Sequence, residues 1–181
     1  MDAFAVLDFP RAPWVDGDGL KERFHRLSAV RHPDAPSGSD AAFSELNTAW
    51  QTLREPTNCL RHFLHLTAPD ALATANETPA DLGDLFMEIA GLKHAAQQFL
   101  AAREKAASPL ARALVEPQRL VLLGRTELVE AQVAGRFDDE IATIRTGEAS
   151  SAHLAAVLGR LTFVANWRHQ LADLRLRLTH P

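Results

Sequence analysis

The sequence predicts an all-α protein, and its composition and periodicity carry that prediction. The chain has 181 residues, of which 46% are hydrophobic and 23% are charged, so it is long enough to bury one medium core or two small ones. Leu and Ala dominate, Tyr is absent and runs of β-branched residues are scarce. Apolar residues recur at steps of three and four nearly throughout, which is the spacing of one helix face.

The N-terminal part begins with signals for two helices. A short helix over 2–9 is expected to end near Pro10. Asp16 or Asp18 can cap a second helix that runs to about Arg31. The short first helix is therefore expected to pack as a strut against longer neighbours.

Two apolar stripes predict that the second helix pairs with a third. The stripe of the second helix consists of Leu20, Phe24 and Leu27. The third helix, capped by Ser39, carries Phe43, Leu46, Trp50 and Leu53. Matching steps of four and three predict an antiparallel hairpin with the intervening loop at its tip. Pro56, at a favoured first-turn position, begins a fourth helix.

The second half predicts a linker and a small helical bundle. Thr78 with Pro79, and Ser108 with Pro109, each combine a capping residue with a first-turn proline, and each begins a long helix. Pro117 is expected to kink or split the second of these helices. A last helix is expected from about Ser151 to Leu178. The predicted domains are residues 1–66, a linker of irregular composition at 67–78, and the bundle at 79–181.

The loop between the paired helices contains the tripeptide His32-Pro33-Asp34. A proline disfavours helical geometry at the residue before it, so the helix stops and His32 and Asp34 are presented at a rigid tip. The second helix and its end carry a cationic set able to steer an acidic partner surface, although the net charge of the chain is −4. The members of this set are Lys21, Arg23, Arg26 and Arg31.

A short helix, a basic helix, this tripeptide and an apolar helix follow one another in the order of a J domain. The chain further resembles the HscB family of J-type co-chaperones of iron–sulfur cluster assembly. The stretches that carry the resemblance are DAFAVLDFPRAPWVDGDGLKERFHRLSAVRHPD, NTAWQTLREPTNCLRHFLHL, DLFMEIAGLKHAA and RLTFVANWRHQL. The resemblance implies an N-terminal J domain, a C-terminal three-helix bundle, no bound cofactor and no enzymatic activity of the chain itself.

The resemblance also implies two partners. In that family the J domain activates the ATPase of a DnaK/HscA-type chaperone, and the bundle holds the U-type (IscU-like) scaffold protein on which the iron–sulfur cluster is built. The implied chaperone-binding residues are His32, Pro33, Asp34, Lys21, Arg26 and Arg31. The implied scaffold-binding residues are Phe86, Met87 and Phe163.

The sequence departs from the family in the scaffold-binding patch. Larger apolar and acidic side chains are usual at the positions of Ala90, Gly91, His94 and Gln98. Two alternatives therefore stay open: a general J-domain protein with a different client, and a structural helical protein whose loop engages no ATPase.

Other classes of function find little support in the sequence. Cys59, His62 and His65 lie at three-residue steps and raise the question of a metal site, but such steps drift by about 60° around a helix and no fourth ligand is near. We therefore expect no metal. A lone cysteine forms no internal disulfide, and the chain shows neither a leader nor an apolar stretch of about 18 residues, so we expect a soluble cytoplasmic protein without membrane contact.

The acidic net charge argues against nucleic-acid binding, which needs a concentrated basic surface. We interpret Trp14, Trp50 and Trp167 as structural anchors. The sequence contains no phosphate-cradling loop, no dinucleotide fingerprint and no nucleophile beside a credible base, so no catalytic residue is predicted.

Overall fold

A computed structural model of the chain describes residues 1–36, 38–73, 79–146 and 149–180, and within those ranges every regular element is helical. The all-α prediction is thereby confirmed. The elements are α1 (Ala3–Val6), α2 (Gly17–Arg31), α3 (Asp40–Arg54), α4 (Pro56–Thr67), α5 (Pro69–Leu72), a 3₁₀ turn (Ala80–Leu82), α6 (Gly83–Lys105), α7 (Pro109–Arg145) and α8 (Ser151–Thr179).

Most helices begin at the capping residues expected from the sequence. The Asp16 carboxylate accepts a hydrogen bond from the Gly19 amide (2.8 Å), and the Ser39 hydroxyl accepts one from the Ala42 amide (3.2 Å). Each bond satisfies an amide that the first helical turn leaves without a partner. Pro56 is the first residue of α4, as predicted.

Helix α1 is shorter than predicted, because it ends at Val6 and not at about residue 9. The reason is a left-handed turn at Asp8, whose φ is 56°. The Phe9 amide donates to the Phe4 carbonyl (2.8 Å) and the Asp8 amide to the Ala5 carbonyl (3.3 Å). This pair of bonds is the Schellman arrangement, which closes a helix and turns the chain away from its axis.

Helices α2 and α3 form the predicted hairpin. The rings of Phe24 and Trp50 lie 4.7 Å apart, and those of His32 and Phe43 lie 5.0 Å apart, so a later residue in α2 meets an earlier one in α3. The two helices are therefore antiparallel. Their buried residues join those of α1 and α4 in one core, made of Ala3, Phe4, Leu7, Leu20, Leu46, Ala49, Leu53 and Cys59.

The predicted linker contains a short helix. Pro69 begins α5, and the Ala68 amide closes α4 by donating to the Leu64 carbonyl (2.8 Å), so two helices adjoin where an irregular segment was expected. The proposed cap at Thr78 lies outside the described residues. The Ser108 hydroxyl accepts from the Ala111 amide (3.1 Å), which confirms the predicted start of α7 at Pro109.

Pro117 does not split α7, which runs without interruption from Pro109 to Arg145. The predicted split is therefore wrong, and the predicted kink stays a prediction. A proline in a helix leaves the carbonyl four residues earlier without its donor. Here that residue is Ala113, and both Ala113 and Pro117 are exposed, so water can hydrate the carbonyl.

The chain divides into two compact units by its internal contacts. The first unit comprises Met1–Glu77 and Glu140–Gly159, and the second comprises Thr78–Asp139 and Arg160–Pro181. The sequence assigns residues 140–159 to the bundle, whereas in the structure they cluster with the N-terminal helices. Within the first unit the Arg145 guanidinium lies 4.4 Å from the centre of the Trp14 ring. The domain bounds inferred from the sequence stay a prediction.

The second unit has one apolar core to which α6, α7 and α8 all contribute. Its fully buried side chains include Leu92, Phe99, Val133, Val164 and Leu171. Polar contacts join the same helices, since Lys93 Nζ donates to Gln170 Oε1 at 2.6 Å. None of the helices in the described part of the chain is long and apolar enough to cross a membrane.

Candidate functional site

The tripeptide His32-Pro33-Asp34 lies at the exposed tip of the α2–α3 hairpin. His32 ends α2 with its backbone in an extended conformation (φ −58°, ψ 141°), and its amide donates to the Ser28 carbonyl at 2.9 Å. The side chains of His32 and Asp34 are 49% and 93% exposed. The predicted end of the helix and the predicted presentation of the tripeptide are therefore both observed.

Hydrogen bonds within the loop hold the tripeptide in a defined shape. The Ala35 amide donates to the His32 carbonyl (2.8 Å), and the Gly38 amide donates to the Ala35 carbonyl (2.9 Å). The Asp34 amide donates a hydrogen bond to His32 Nδ1 (3.3 Å), and an Asp34 carboxylate oxygen lies 3.4 Å from the same nitrogen. Nδ1 is therefore engaged inside the loop, while Nε2 has no partner among the described residues and is available to another molecule.

The imidazole of His32 also packs against the start of α3. Its ring meets the Phe43 ring at 5.0 Å between centres and 68° between planes, the edge-to-face geometry that aromatic pairs favour. Phe43 was predicted only as a residue of the α3 stripe. In the structure it supports one face of the histidine that the loop presents.

Gly38 fits a place where no side chain can be accommodated. A Cβ built on Gly38 would overlap the carbonyl oxygen of His32 and would lie 2.6 Å from its carbonyl carbon. Both atoms are backbone, so neither can move away as a flexible side chain would. Gly38 thus allows the end of the loop to close over the start of the tripeptide.

The basic residues of α2 differ in how they are held. Arg26 forms an ion pair with Asp8 (3.6 Å), and the Arg23 guanidinium stacks over the Phe9 ring at 4.4 Å while donating to the Asp8 carbonyl. Within the described residues, Lys21 and Arg31 have no ion-pair partner. The left-handed turn after α1 thus fixes two of the four predicted cations, and two others are available to an acidic partner.

A second candidate site is an apolar cavity between α6 and α8. Its volume is about 260 Å³, and it is lined by Pro79, Leu82, Gly83, Phe86, Phe163 and Trp167. Phe86 is 53% exposed, whereas Trp167 is only 5% exposed. The Phe163 and Trp167 rings lie 6.1 Å apart. An apolar cavity bordered by polar groups is the usual setting of a binding site.

The three predicted scaffold-binding residues do not all meet at this cavity. Phe86 and Phe163 line it together. Met87 is 68% exposed and lines neither this cavity nor the groove that adjoins it along α6 and α8. Trp167, interpreted from the sequence as an anchor alone, is part of the site. Its position four residues after Phe163, on the same face of α8, was the signal that could have identified it.

A groove of about 490 Å³, lined by both polar and apolar side chains, continues from the cavity along α6 and α8 and shares Phe86, Phe163 and Trp167 with it. Two of the positions at which the sequence departs from the family, Ala90 and His94, line this groove. His94 Nε2 is 2.9 Å from Gln98 Nε2, and Lys93 also lines the groove. The cavity can therefore receive an apolar side chain while the groove offers polar partners to the backbone around it.

Two of the three possible metal ligands of α4, Cys59 and His62, make other contacts. Cys59 is 1% exposed, burial raises the pKa of its thiol to about 12, and its Sγ lies 3.9 Å from the Ala12 carbonyl oxygen. His62 Nε2 accepts a hydrogen bond from the Ala3 amide (3.0 Å), and its ring stacks on Phe4. In the described part of the chain no three His, Cys, Asp or Glu side chains are grouped so as to hold a metal ion.

Comparisons of the chain with protein-family models, with curated proteins and with solved structures found no match.

Proposed function

We propose that this protein is a J-type co-chaperone that stimulates the ATPase of a DnaK/HscA-type chaperone through the His32-Pro33-Asp34 loop. The observation that carries the proposal is the geometry of the loop. A histidine and an aspartate are exposed at the tip of a hairpin, while backbone hydrogen bonds, Phe43 and Gly38 restrict their arrangement. Such preorganisation lowers the entropy lost on docking, which favours a recognition role.

The positive charges of α2 also support a chaperone with an acidic docking groove as the partner. Lys21 is exposed, and Arg31 lies at the end of the helix next to the loop. An acidic groove on a chaperone would be steered toward this surface by long-range attraction, and salt would weaken the encounter. The arrangement suits a docking protein better than an enzyme, since a histidine and a carboxylate on one exposed loop have no enclosed site to act on.

The test is steady-state ATP hydrolysis by a purified DnaK-class chaperone in the presence of the native chain or of His32→Gln. We expect the native chain to accelerate hydrolysis and the variant to lose most of the effect. His169→Gln, at an exposed position of α8, is the matched control and should stimulate like the native chain. Equal stimulation by the native chain and His32→Gln would contradict the proposal.

For the bundle we propose the role of client holder, with the U-type iron–sulfur cluster scaffold as the client. The support is the resemblance stated above, together with the cavity at which Phe86 and Phe163 meet. Apolar anchors in a pocket beside polar groups are where binding energy is usually concentrated. The client is thus expected to insert an apolar side chain between these rings.

A scaffold pull-down separates this client from others. The native chain and Leu176→Ala, a control that truncates an exposed leucine elsewhere on α8, should both retain the scaffold. The double change Phe86→Ala plus Phe163→Ala should release it. If the native chain retains no scaffold, while the ATPase test succeeds, the general J-domain protein with a different client is favoured. The departures at Ala90 and His94, which line the adjoining groove, give that alternative its structural basis.

A further inference from the structure

The outer face of α7 carries an apolar stripe that nothing in the described chain covers. Large side chains on this face are 63–75% exposed, where a helix packed on a core normally presents polar residues. They are Leu110, Leu114, Val121 and Leu128. Contiguous exposed apolar surface of this kind marks a site of association.

The stripe has a regular period. Leu114, Val121 and Leu128 recur every seven residues, the repeat with which two helices keep a common seam in contact. Exposed residues of small or compact shape lie on the same face: Pro117 and Gly124 between these three, and Ala131 and Gly135 beyond Leu128. Large and small residues thus alternate from Leu114 to Ala131, with large residues at the N-terminal end of the seam and small ones at its C-terminal end.

No contact in the described part of the chain requires a glycine at position 124 or 135. A Cβ built at Gly124 or at Gly135 would meet no atom within 4 Å, so alanine would fit at both positions. Glycine inside an exposed helix is less favourable than alanine. Glycine on a helix face does, however, allow another backbone or a large side chain to approach closely.

We propose that α7 is a self-association surface, on which a second copy of this chain packs with its own α7 antiparallel. In one antiparallel register every large residue of the seam meets a small or compact one of the other copy. That register pairs Leu110 with Gly135, Leu114 with Ala131, Val121 with Gly124, and Leu128 with Pro117, each across the two copies.

The flanking charges are compatible with this register. At 100° per residue, Arg125 lies on one edge of the seam and Glu127 on the other. In the antiparallel pair Arg125 comes next to Gln118 of the second copy, and Glu127 next to Leu120 of the second copy. Glu127 also comes within about 3 Å along the axis of Glu116 of the second copy, and that glutamate is ion-paired with Arg119 of its own chain. The antiparallel two-fold dimer is closed, as most homodimers are.

The area of the seam sets the expected strength. Residues 110–135 of a helix span about 38 Å, and a helix pair in contact over a width of about 10 Å buries on the order of 400 Å² per copy. Both copies together then bury less than the roughly 1,200 Å² of a stable complex. The dimer should accordingly be weak and reversible, with a dissociation constant on the order of 10–100 µM.

Sedimentation equilibrium of the full chain from micromolar to millimolar concentration tests the association. The average mass should rise reversibly from that of the 19.9 kDa monomer toward twice that value. Gly124→Leu places a large side chain at the centre of the seam and should weaken association at least tenfold, without lowering thermal stability. Gly91→Leu, at an exposed α6 glycine whose Cβ would also meet nothing within 4 Å, is the control and should associate like the native chain. A monomer at all concentrations, or a dimer that Gly124→Leu leaves intact, would overturn the proposal.

Disulfide cross-linking tests the orientation. An equimolar mixture of the Leu114→Cys and Ala131→Cys chains should form a mixed disulfide dimer under mild oxidation. Each variant alone should not, because identical positions in the antiparallel pair lie about 26 Å apart along the axis. The native Cys59 is buried and does not compete. Cross-linking of each variant with itself but not of the mixture would overturn the antiparallel arrangement.

Discussion

Gly38 closes the tripeptide loop by packing its α-carbon against the carbonyl group of His32, which leaves no room for a β-carbon. The contact joins Gly38, which precedes the Ser39 cap of α3, to His32, the C-cap of α2, across the loop that we propose as the ATPase trigger. The shape of the loop therefore depends on a residue outside the tripeptide itself.

Replacing Gly38 with alanine should displace the loop. The added methyl group meets backbone atoms that cannot rotate away, and we expect a loss of roughly 1–3 kcal/mol in the free energy of unfolding. ATPase stimulation should fall as well, because His32 would leave its position on Phe43. Urea denaturation and steady-state hydrolysis measure the two effects. Gly17→Ala, at a helix start where a Cβ meets nothing within 4 Å, should change neither, and the same result for Gly38→Ala would refute the role of this contact.

Asp8 should tolerate asparagine much better than alanine. Its φ of 56° lies in the left-handed region, which asparagine adopts readily and alanine does not. We expect Asp8→Ala to lose about 1–2 kcal/mol in the free energy of unfolding. The exposed ion pair with Arg26 contributes less, so Asp8→Asn should stay within about 0.5 kcal/mol of the native chain. Urea denaturation ranks the variants; equal losses for alanine and asparagine would show that the ion pair, which both variants remove, dominates over the backbone conformation.

His62 should make stability dependent on pH. Burial lowers the pKa of its imidazole, with the charges of His65, the N-terminus and Arg11 acting in the same direction and Asp2 opposing them. The neutral ring also accepts from the Ala3 amide. Because the pKa is lower in the folded chain, the stabilisation is complete above the ordinary value of 6.5 and is lost as the pH falls through the folded pKa.

The variant His62→Gln keeps an acceptor for Ala3 but does not titrate. Its free energy of unfolding should therefore decline less than that of the native chain between pH 7.5 and pH 5, which urea titrations at several pH values measure. His25→Gln, an exposed histidine of α2, should retain the native slope. Parallel curves for the native chain and His62→Gln would exclude His62 as the source of the dependence.

Cys59 should be unreactive in the folded protein. A thiol that is 1% exposed and has its pKa raised to about 12 by burial provides almost no accessible thiolate at pH 8. Labelling with a chromogenic disulfide reagent should give no signal in buffer and one equivalent in denaturant. Rapid labelling without denaturant would mean that α4 opens readily from the core.

Local signals explain why much of the fold could be predicted. Asp16, Ser39 and Pro109 act within one turn of their own helices, so the predicted starts of α2, α3 and α7 agree with the structure. Long-range effects account for the differences. The end of α1 depends on a left-handed aspartate, and the continuity of α7 depends on the exposure of Pro117, which sequence spacing does not reveal.

The candidate sites show the same division. The stop at His32 follows from Pro33 alone, and the loop was therefore predictable from three residues. The residues that hold the loop in shape could not be predicted in this way, because the contacts of Phe43 and Gly38 with His32 form only when two helices and a turn assemble. In the bundle only the family resemblance predicts that Phe86 and Phe163 share a site. The resemblance also implies Met87, which does not line the cavity, and it does not imply Trp167, which does.

The tryptophans also have an optical consequence. The chain has three tryptophans and no tyrosine, so its near-ultraviolet emission comes essentially from three indoles in distinct surroundings. Trp14 lies under a guanidinium, Trp50 lies against a phenyl ring, and Trp167 lines the α6–α8 cavity. With Trp14 and Trp50 changed to phenylalanine, the remaining emission would come from the cavity alone. A client that enters the cavity would then shift the emission maximum of Trp167, without any added label.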